Sequence, residues 1–180
     1  MIKIAIISRG FKGGIHPPYT KVTAEKEIEK ADIPEKVVLP LRQHVGAPCD
    51  PLVEGGDEVK VGQKIGDSES LSAPIHATIS GTVAEISSRL TPNGIEEECV
   101  VIESDGKDEW VDMEGIDPEE SSHDEIVEKV RECGVAGLGG AAFPTHVKLN
   151  PPEDKEIDTV LINGAECEPY ITAEIGRAHV

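Results

Sequence analysis

A glycine-rich segment, GLGGAAFPTHVKL at residues 137–149, carries the residues of this chain best suited to binding chemistry. Gly137, Gly139 and Gly140 allow the backbone to approach a ligand closely and to turn its amides toward it. A helix beginning at Pro144 would add positive potential from its N-terminus, which favours a phosphate. The same glycines could instead make only a tight turn between helices. The segment is not a Walker A loop, because no Gly-Lys-Ser/Thr follows, and its spacing does not match Gly-x-Gly-x-x-Gly.

An acidic loop, INGAECEPY at residues 162–170, follows a predicted buried strand at 157–163. Ligands of α/β proteins bind beyond the carboxyl ends of such strands. Asn163 offers a side-chain amide, and the carboxylates of Glu166 and Glu168 can accept hydrogen bonds from ribose hydroxyls or a nicotinamide amide. The alternative is a surface loop with solvated acids. Together with the glycine segment, the acidic loop favours a nucleotide site over a simple turn.

Helix caps predict the elements that would position these loops. Ser122 and Glu125 form a Ser-x-x-Glu capping box, which indicates the start of a helix. Gly134 is a natural stop for that helix, and Pro144 suits the first position of a second one. The order helix, glycine loop, helix, strand and acidic loop predicts the beginning of an α/β domain over 122–174.

A compact all-β unit is predicted before that domain, at about 36–105. Short Val- and Ile-rich segments recur there between glycines and an Asn-Gly turn, which is typical of several short strands. An apolar run at 2–7 predicts one more strand. The predicted fold class is α+β in several parts: residues 1–105 with the β unit, an acidic, solvated linker at 106–121, and an incomplete α/β domain.

The charge balance limits the partners. Thirty-five acidic and seventeen basic side chains give a formal charge of −18. This argues against binding to nucleic acid or direct adsorption to an anionic membrane, and solubility is the simplest explanation of the excess. No segment approaches the roughly 20 consecutive apolar residues of a membrane span. We therefore expect a cytoplasmic protein that reaches a membrane only through its partners.

The cysteines and histidines predict no metal site. The four cysteines are at least 34 residues apart, so no local zinc or iron–sulfur motif exists among them. No two of the histidines at 16, 44, 76, 123 and 146 have ligand spacing, and we expect structural roles for them.

The β unit is similar to a carrier domain but lacks the carried group's attachment site. GDEVKVGQKIG and SAPIHATISGTVAEI resemble the barrel-sandwich hybrid of biotinyl and lipoyl domains, which present a lysine ten residues before a Ser-Gly-Thr-Val element. Here that position is Ser70, and no lysine occurs between Lys64 and Lys107. We therefore predict an unmodified docking module.

The two loops together indicate a family. GLGGAAFPTHVKL followed by LINGAECEPYITAE closely resembles the RnfC subunit of the Rnf electron-transport complex, and a similar pair marks the NADH-binding flavoprotein subunit of respiratory complex I. FKGGIHPPYTK, VVLPLRQHVGAPCDPLVEGGDEVKVGQKIG and SAPIHATISGTV also resemble the Rnf subunit. The resemblance extends over nearly the whole chain, to about residue 174.

The resemblance implies an entry or exit port for electrons on the cytoplasmic side of the cell membrane. FMN would exchange a hydride with NAD(H) and single electrons with 4Fe-4S clusters, so that the other Rnf subunits and, indirectly, ferredoxin are the implied partners. The implied cofactor-binding residues are Gly137, Gly139 and Gly140 against the flavin and its phosphate, Phe143 as a stacking ring, Lys148 as a cation, Asn163 and Glu166 on the flavin, and Glu168 toward the nicotinamide nucleotide.

Two features depart from the family pattern. The family usually has glycine where this chain has Ala142, and the added methyl group would crowd a ligand unless φ is negative there. The last six residues, IGRAHV at 175–180, do not resemble the family and match one reading frame of a sequencing adapter. We expect a non-native tail, 4Fe-4S clusters only in a missing C-terminal part, and a fragment that is inactive alone. A genuine short variant is the alternative.

Two other functions stay open at this point. The chain could be a non-catalytic docking module of a redox complex. It could also be the related subunit of a sodium-translocating NADH:quinone reductase, which shares the barrel start but fits the two loops less well.

Overall fold

The computed structural model describes residues 18, 20–27, 29–137, 142–152, 154–161 and 169–170. The chain divides into two compact units, Lys30–Ile157 and a smaller one of Met1–Glu29 with Asp158–Val180. In the smaller unit, the amide of Thr20 donates to the carbonyl of Pro169 at 3.2 Å. The strand predicted at 2–7 lies outside the described residues.

The larger unit is built on two antiparallel sheets. The first has the strand order β1-β7-β6-β3 and the second β2-β4-β5. The strands are β1 (Lys36–Pro40), β2 (Asp50–Pro51), β3 (Glu58–Val59), β4 (Lys64–Asp67), β5 (Ile75–His76), β6 (Gly81–Leu90) and β7 (Glu96–Ser104). All seven fall within the segment for which the sequence predicts a β unit.

The core lies between the sheets and is aliphatic. Strands β6 and β7 pair from Gly81 opposite Ser104 to Leu90 opposite Glu96, and the Asn-Gly turn joins them. Residues 99–102 of β7 are all buried, so both faces of that strand are covered there, and Val83 of β6 is also buried. The largest fully buried aliphatic side chains are Leu41, Ile65, Val83, Val100 and Ile102.

Part of the predicted solvated linker belongs to the β unit. The carbonyl of Glu109 accepts from the amide of Val61 at 2.8 Å, and the amide of Val111 donates to the carbonyl of Val61 at 3.0 Å. Val61 is buried, so its backbone groups need partners, and the segment around Trp110 supplies them. This stretch therefore pairs with the β unit through its backbone, and residues 112–120 are exposed.

Two helices follow the linker. Helix α1 (His123–Glu132) begins with the predicted capping box, in which the Ser122 hydroxyl and the Glu125 carboxylate each bond the other residue's amide. Gly134, with φ of +63°, ends it as predicted. A Cβ at Gly134 would lie 2.4 Å from the carbonyl oxygen of Pro74, so this close approach also requires glycine.

The second helix and the following strand differ from the prediction. Helix α2 (Thr145–Leu149) has Pro144 as its N-cap with ψ of 122°, so the proline precedes the helix and does not start it. Residues 157–161 form no strand, and Leu161 is 91 % exposed. The apolar pattern predicted a buried strand there, but no described strand lies beside it to pair with its backbone.

Candidate functional site

The glycine loop, defined here as residues 136–144, is closed at its base by backbone pairing. Ala136 and Pro144 form an antiparallel bridge, and the amide of Gly137 donates to the carbonyl of Phe143 at 3.0 Å. The amide of Thr145 donates to the carbonyl of Val135 at 3.0 Å. The loop therefore leaves helix α1 and returns to helix α2 through a fixed neck.

Three of the eight predicted cofactor-binding residues are described, and they lie together at this neck. The ammonium of Lys148 is 5.8 Å from the centre of the Phe143 ring, within the range of a cation–π contact. A Cβ added to Gly137 would lie 3.6 Å from the same ammonium nitrogen. The other five, Gly139, Gly140, Asn163, Glu166 and Glu168, lie outside the described residues.

The position that departs from the family pattern carries backbone strain. Ala142 has φ of +48°, in the left-handed region that glycine adopts without steric cost. The condition under which its methyl group would be harmless, a negative φ, is not met. Ala142 also lines both of the cavities nearby.

Those two cavities lie between the β unit and the neck of the loop. One has a volume of about 720 Å³ and the other about 280 Å³, and both are lined by Gln43, His44 and Ala142. Gly137 and Ala136 line the smaller one. The larger volume falls in the range of about 300–1,000 Å³ that is usual for small-molecule sites.

An ion-pair cluster fixes helix α1 against the β4–β5 hairpin. The guanidinium of Arg131 contacts both carboxylate oxygens of Asp67, at 2.8 and 3.4 Å, and the ammonium of Lys64 bonds the carboxylates of Asp67 and Glu132. Burial alone would raise the pKa of Asp67, but hydrogen bonds from Ser68 and Arg131 outweigh it and lower that pKa. The cluster therefore stays ionised and holds the start of the loop in place.

The hairpin that would present a lysine in a carrier domain instead contacts helix α1 of the same chain. Lys64 is its nearest lysine, and that side chain is occupied by two carboxylates. Burial opposes the charge of Lys64, but the bonds from Glu132 and Asp67 raise its pKa above the usual value. An amine held protonated is a poor nucleophile for acylation.

The two histidines beside the loop are both disposed to be neutral. Burial lowers the pKa of His76, which packs against Gly134, with the nearby charge of Lys64 acting in the same direction. Burial, and then the charge of Arg131, lowers the pKa of His146 in helix α2. The Nδ1 atom of His146 is buried without a hydrogen-bond partner among the described residues.

Two of the three described cysteines, Cys49 and Cys99, have the chemistry of structural thiols. Burial, with the charge of Asp67, raises the pKa of Cys49 to about 11, and burial also raises the pKa of Cys99. Metal binding requires thiolates, which these environments disfavour. Within the described residues, no group of three or more His, Cys, Asp or Glu side chains could hold a metal ion. None of the helices in the described ranges has the length and hydropathy needed to cross a bilayer.

The structure adds site residues that the motifs did not indicate. Arg42, Gln43 and His44 follow strand β1 and line the larger cavity together with Glu97 of strand β7. Their sequence, RQH after LPL, contributed only to the family resemblance. The signal that could have found them was an arginine in a proline-flanked loop of a strongly acidic chain.

These features fit a nucleotide cofactor. The larger cavity adjoins the neck of the glycine loop, and one buried carboxylate oxygen of Glu97, which lines it, has no hydrogen-bond partner among the described residues. A ligand with hydroxyl groups would satisfy that acceptor. Lys148 and Arg42 add two positive charges near the neck and the cavity.

Two parts of the chain match known protein domains. Residues 9–107 match the RnfC barrel sandwich hybrid domain, and residues 130–175 match the Nuo51 FMN-binding domain. The chain thus joins a barrel-sandwich hybrid to part of an FMN-binding domain. It belongs to the RnfC family.

Several relatives are similar over most of this chain. It is 51 % identical over 172 residues to the C subunit of the proton-translocating ferredoxin:NAD(+) oxidoreductase complex of Clostridium ljungdahlii, covering 92 % of this chain and 37 % of that protein. It is 47 % identical to the C subunit of the Na(+)-translocating ferredoxin:NAD(+) oxidoreductase complex of Acetobacterium woodii, covering 91 % of this chain and 38 % of that protein. It is 42 % identical to the C subunit of the ion-translocating oxidoreductase complex of Klebsiella pneumoniae, covering 91 % of this chain and 22 % of that protein. The chain therefore spans well under half the length of these relatives.

Proposed function

We propose that this chain is the N-terminal, cofactor-binding part of a peripheral electron-transfer subunit in an ion-translocating ferredoxin:NAD+ oxidoreductase complex. The observation that carries the proposal is the neck of the glycine loop, which is closed by backbone pairing and lies in the region that matches an FMN-binding domain. A cavity of about 720 Å³ lies beside this neck. The subunit would lie on the cytoplasmic side of the membrane, attached through the other subunits. Its small-molecule partners would be FMN and NAD(H).

Bound FMN would supply the exchange between a hydride from NAD(H) and single electrons passed to iron–sulfur centres. The chain's own residues position and charge the site. The neck pairing of Gly137 with Phe143 orients the loop, and Lys148 provides a cation beside it. Gly139 and Gly140 would permit close backbone approach, Asn163 and Glu166 would bond the flavin, and Glu168 would face the nicotinamide nucleotide.

The 4Fe-4S clusters of such a subunit would be bound outside these 180 residues. Cys49 and Cys99 are buried, with raised pKa values, on strands or loops of the β unit. Cys133 is exposed at the end of helix α1, far from them in sequence. The chain alone would therefore pass no electrons to a cluster.

The experiment uses a chimaeric subunit in which residues 1–174 of this chain replace the matching part of the Clostridium ljungdahlii relative. After loading with FMN under anaerobic conditions, addition of NADH should bleach the visible absorbance of the oxidised flavin. The Glu168→Gln variant should still bind FMN but should bind NADH more weakly. A chimaeric subunit that binds FMN but is not reduced by NADH would contradict the NAD-linked function and favour a docking role.

A further inference from the structure

The β unit forms a wall of the cavity beside the glycine loop. The larger cavity is lined by Arg42, Gln43 and His44 from the segment after β1, by Glu97 from β7 and by Ala142 of the glycine loop. All of these residues belong to the same compact unit, Lys30–Ile157. The cavity is therefore shared between the barrel and the FMN-binding region.

The segment that carries Arg42 is held rigidly. Leu41 is fully buried, and its amide donates to the carbonyl of Glu98 at 2.9 Å. The His44 ring is 7 % exposed, and its Nε2 accepts from the amide of Ala73 at 3.1 Å. A Cβ at Gly46 would lie 2.1 Å from the carbonyl oxygen of Leu71, so only glycine fits there. A preorganised wall loses little freedom when a ligand binds.

Two charged groups of this wall have no partner among the described residues. Arg42 is exposed and forms no ion pair there, although the whole chain carries a net charge of −18. One carboxylate oxygen of Glu97 is buried and accepts no hydrogen bond. Arg89 stands opposite Glu97 in the strand pair, but its guanidinium bonds Glu85 instead.

We propose that this wall binds the sugar-phosphate part of the nucleotide cofactor, with Arg42 contacting a phosphate and Glu97 accepting a hydrogen bond from a sugar hydroxyl. The inference rests on the proposed function and adds the barrel to its site. A guanidinium can present two donors to one phosphate, and a lone carboxylate oxygen suits a hydroxyl donor.

The pairing of charges selects this class of ligand. A bare anion would be repelled by Glu97, and an amine or a basic peptide would be repelled by Arg42. A nucleotide carries both a phosphate and hydroxyl groups, so it satisfies both residues at once. Val38, Val45 and Ile95 also line the cavity and provide apolar surface.

The test measures equilibrium binding of FMN, riboflavin and NADH to the chimaeric subunit and its Arg42→Gln variant. We expect Arg42→Gln to lower the affinity for FMN or NADH by about 10- to 100-fold, which is the effect of losing a hydrogen bond to a charged group. If only the affinity for FMN falls and the affinity for riboflavin is unchanged, Arg42 contacts the flavin phosphate. If only the affinity for NADH falls, Arg42 contacts the dinucleotide phosphates. Arg42→Lys should recover part of the affinity, because it keeps the charge without the planar fork.

Matched controls separate this inference from the proposed function. Lys107→Gln removes one exposed positive charge outside the cavity and should leave all three affinities unchanged. Glu97→Gln should weaken the same nucleotide as Arg42→Gln. The inference is overturned if Arg42→Gln changes the affinities for FMN and NADH by less than about twofold, or if the affinity for riboflavin falls as much as the affinity for FMN. If the parent binds neither FMN nor NADH, the proposed function itself fails.

Discussion

Replacing Ala142 by glycine should stabilise the protein, against the usual direction of that substitution. Ala142 has φ of +48°, where the Cβ of an L-residue is crowded by its own backbone. Glycine has no such clash. The same position lines both cavities, so removal of the methyl group should also ease access for a ligand.

The magnitude follows from two opposing contributions. A left-handed conformation costs an alanine roughly 1–2 kcal/mol, which glycine would recover. Glycine loses more backbone entropy on folding, at a cost of about 0.5–1 kcal/mol. The difference is a net stabilisation of up to about 1.5 kcal/mol, which corresponds to a rise in Tm of up to about 6 °C for a chain of this size.

Thermal unfolding followed by circular dichroism measures this difference. Ala84→Gly is the matched control, because Ala84 lies in strand β6 and has no positive φ. There the entropic cost acts alone, and we expect a loss of about 0.5–1 kcal/mol. If Ala142→Gly lowers the Tm as much as the control does, the strain at this position is not real.

Three further predictions concern the helix cap, the half-buried His76 and the unmodified hairpin. Ser122→Ala should destabilise the protein by about 1 kcal/mol in urea titrations, because it removes the cap of α1, whereas Ser121→Ala should have little effect. Because burial lowers the pKa of His76, the folded chain binds fewer protons at this residue than the unfolded chain does. The free energy of unfolding should therefore have its full value above about pH 6.5 and should fall as the pH drops below it. This fall should be less steep in His76→Gln than in the exposed control His123→Gln. Co-expression with lipoyl and biotinyl ligases should add no mass to residues 65–106, since they contain no lysine, and an added lipoyl or biotinyl group on the β unit would refute this.

Local patterns in the sequence predicted the local structure well. The capping box at Ser122 and the stop at Gly134 depend on residues within a few positions, and both are present. The β unit was also predictable, because alternating aliphatic residues and an Asn-Gly turn determine short antiparallel strands.

Contacts between distant residues were not predictable in the same way. The bond from the Ala73 amide to His44 spans 29 residues, and the pair of Arg131 with Asp67 spans 64. No periodicity encodes such partners, so the rigid wall and the anchoring of α1 became visible only in the structure. The apolar pattern at 157–161 misled for the same reason, because a strand needs a partner that its own sequence does not specify.

Fluorescence titration of the chimaeric subunit with FMN, beside its Gly139→Val variant, tests the central claim most directly. We predict that the parent quenches flavin fluorescence at stoichiometric FMN. The valine variant should bind none, because its side chain blocks the approach of the backbone to the flavin, and it should keep the parent's circular dichroism spectrum. If a folded Gly139→Val variant binds FMN as the parent does, the glycine segment is only a turn and the cofactor site lies elsewhere.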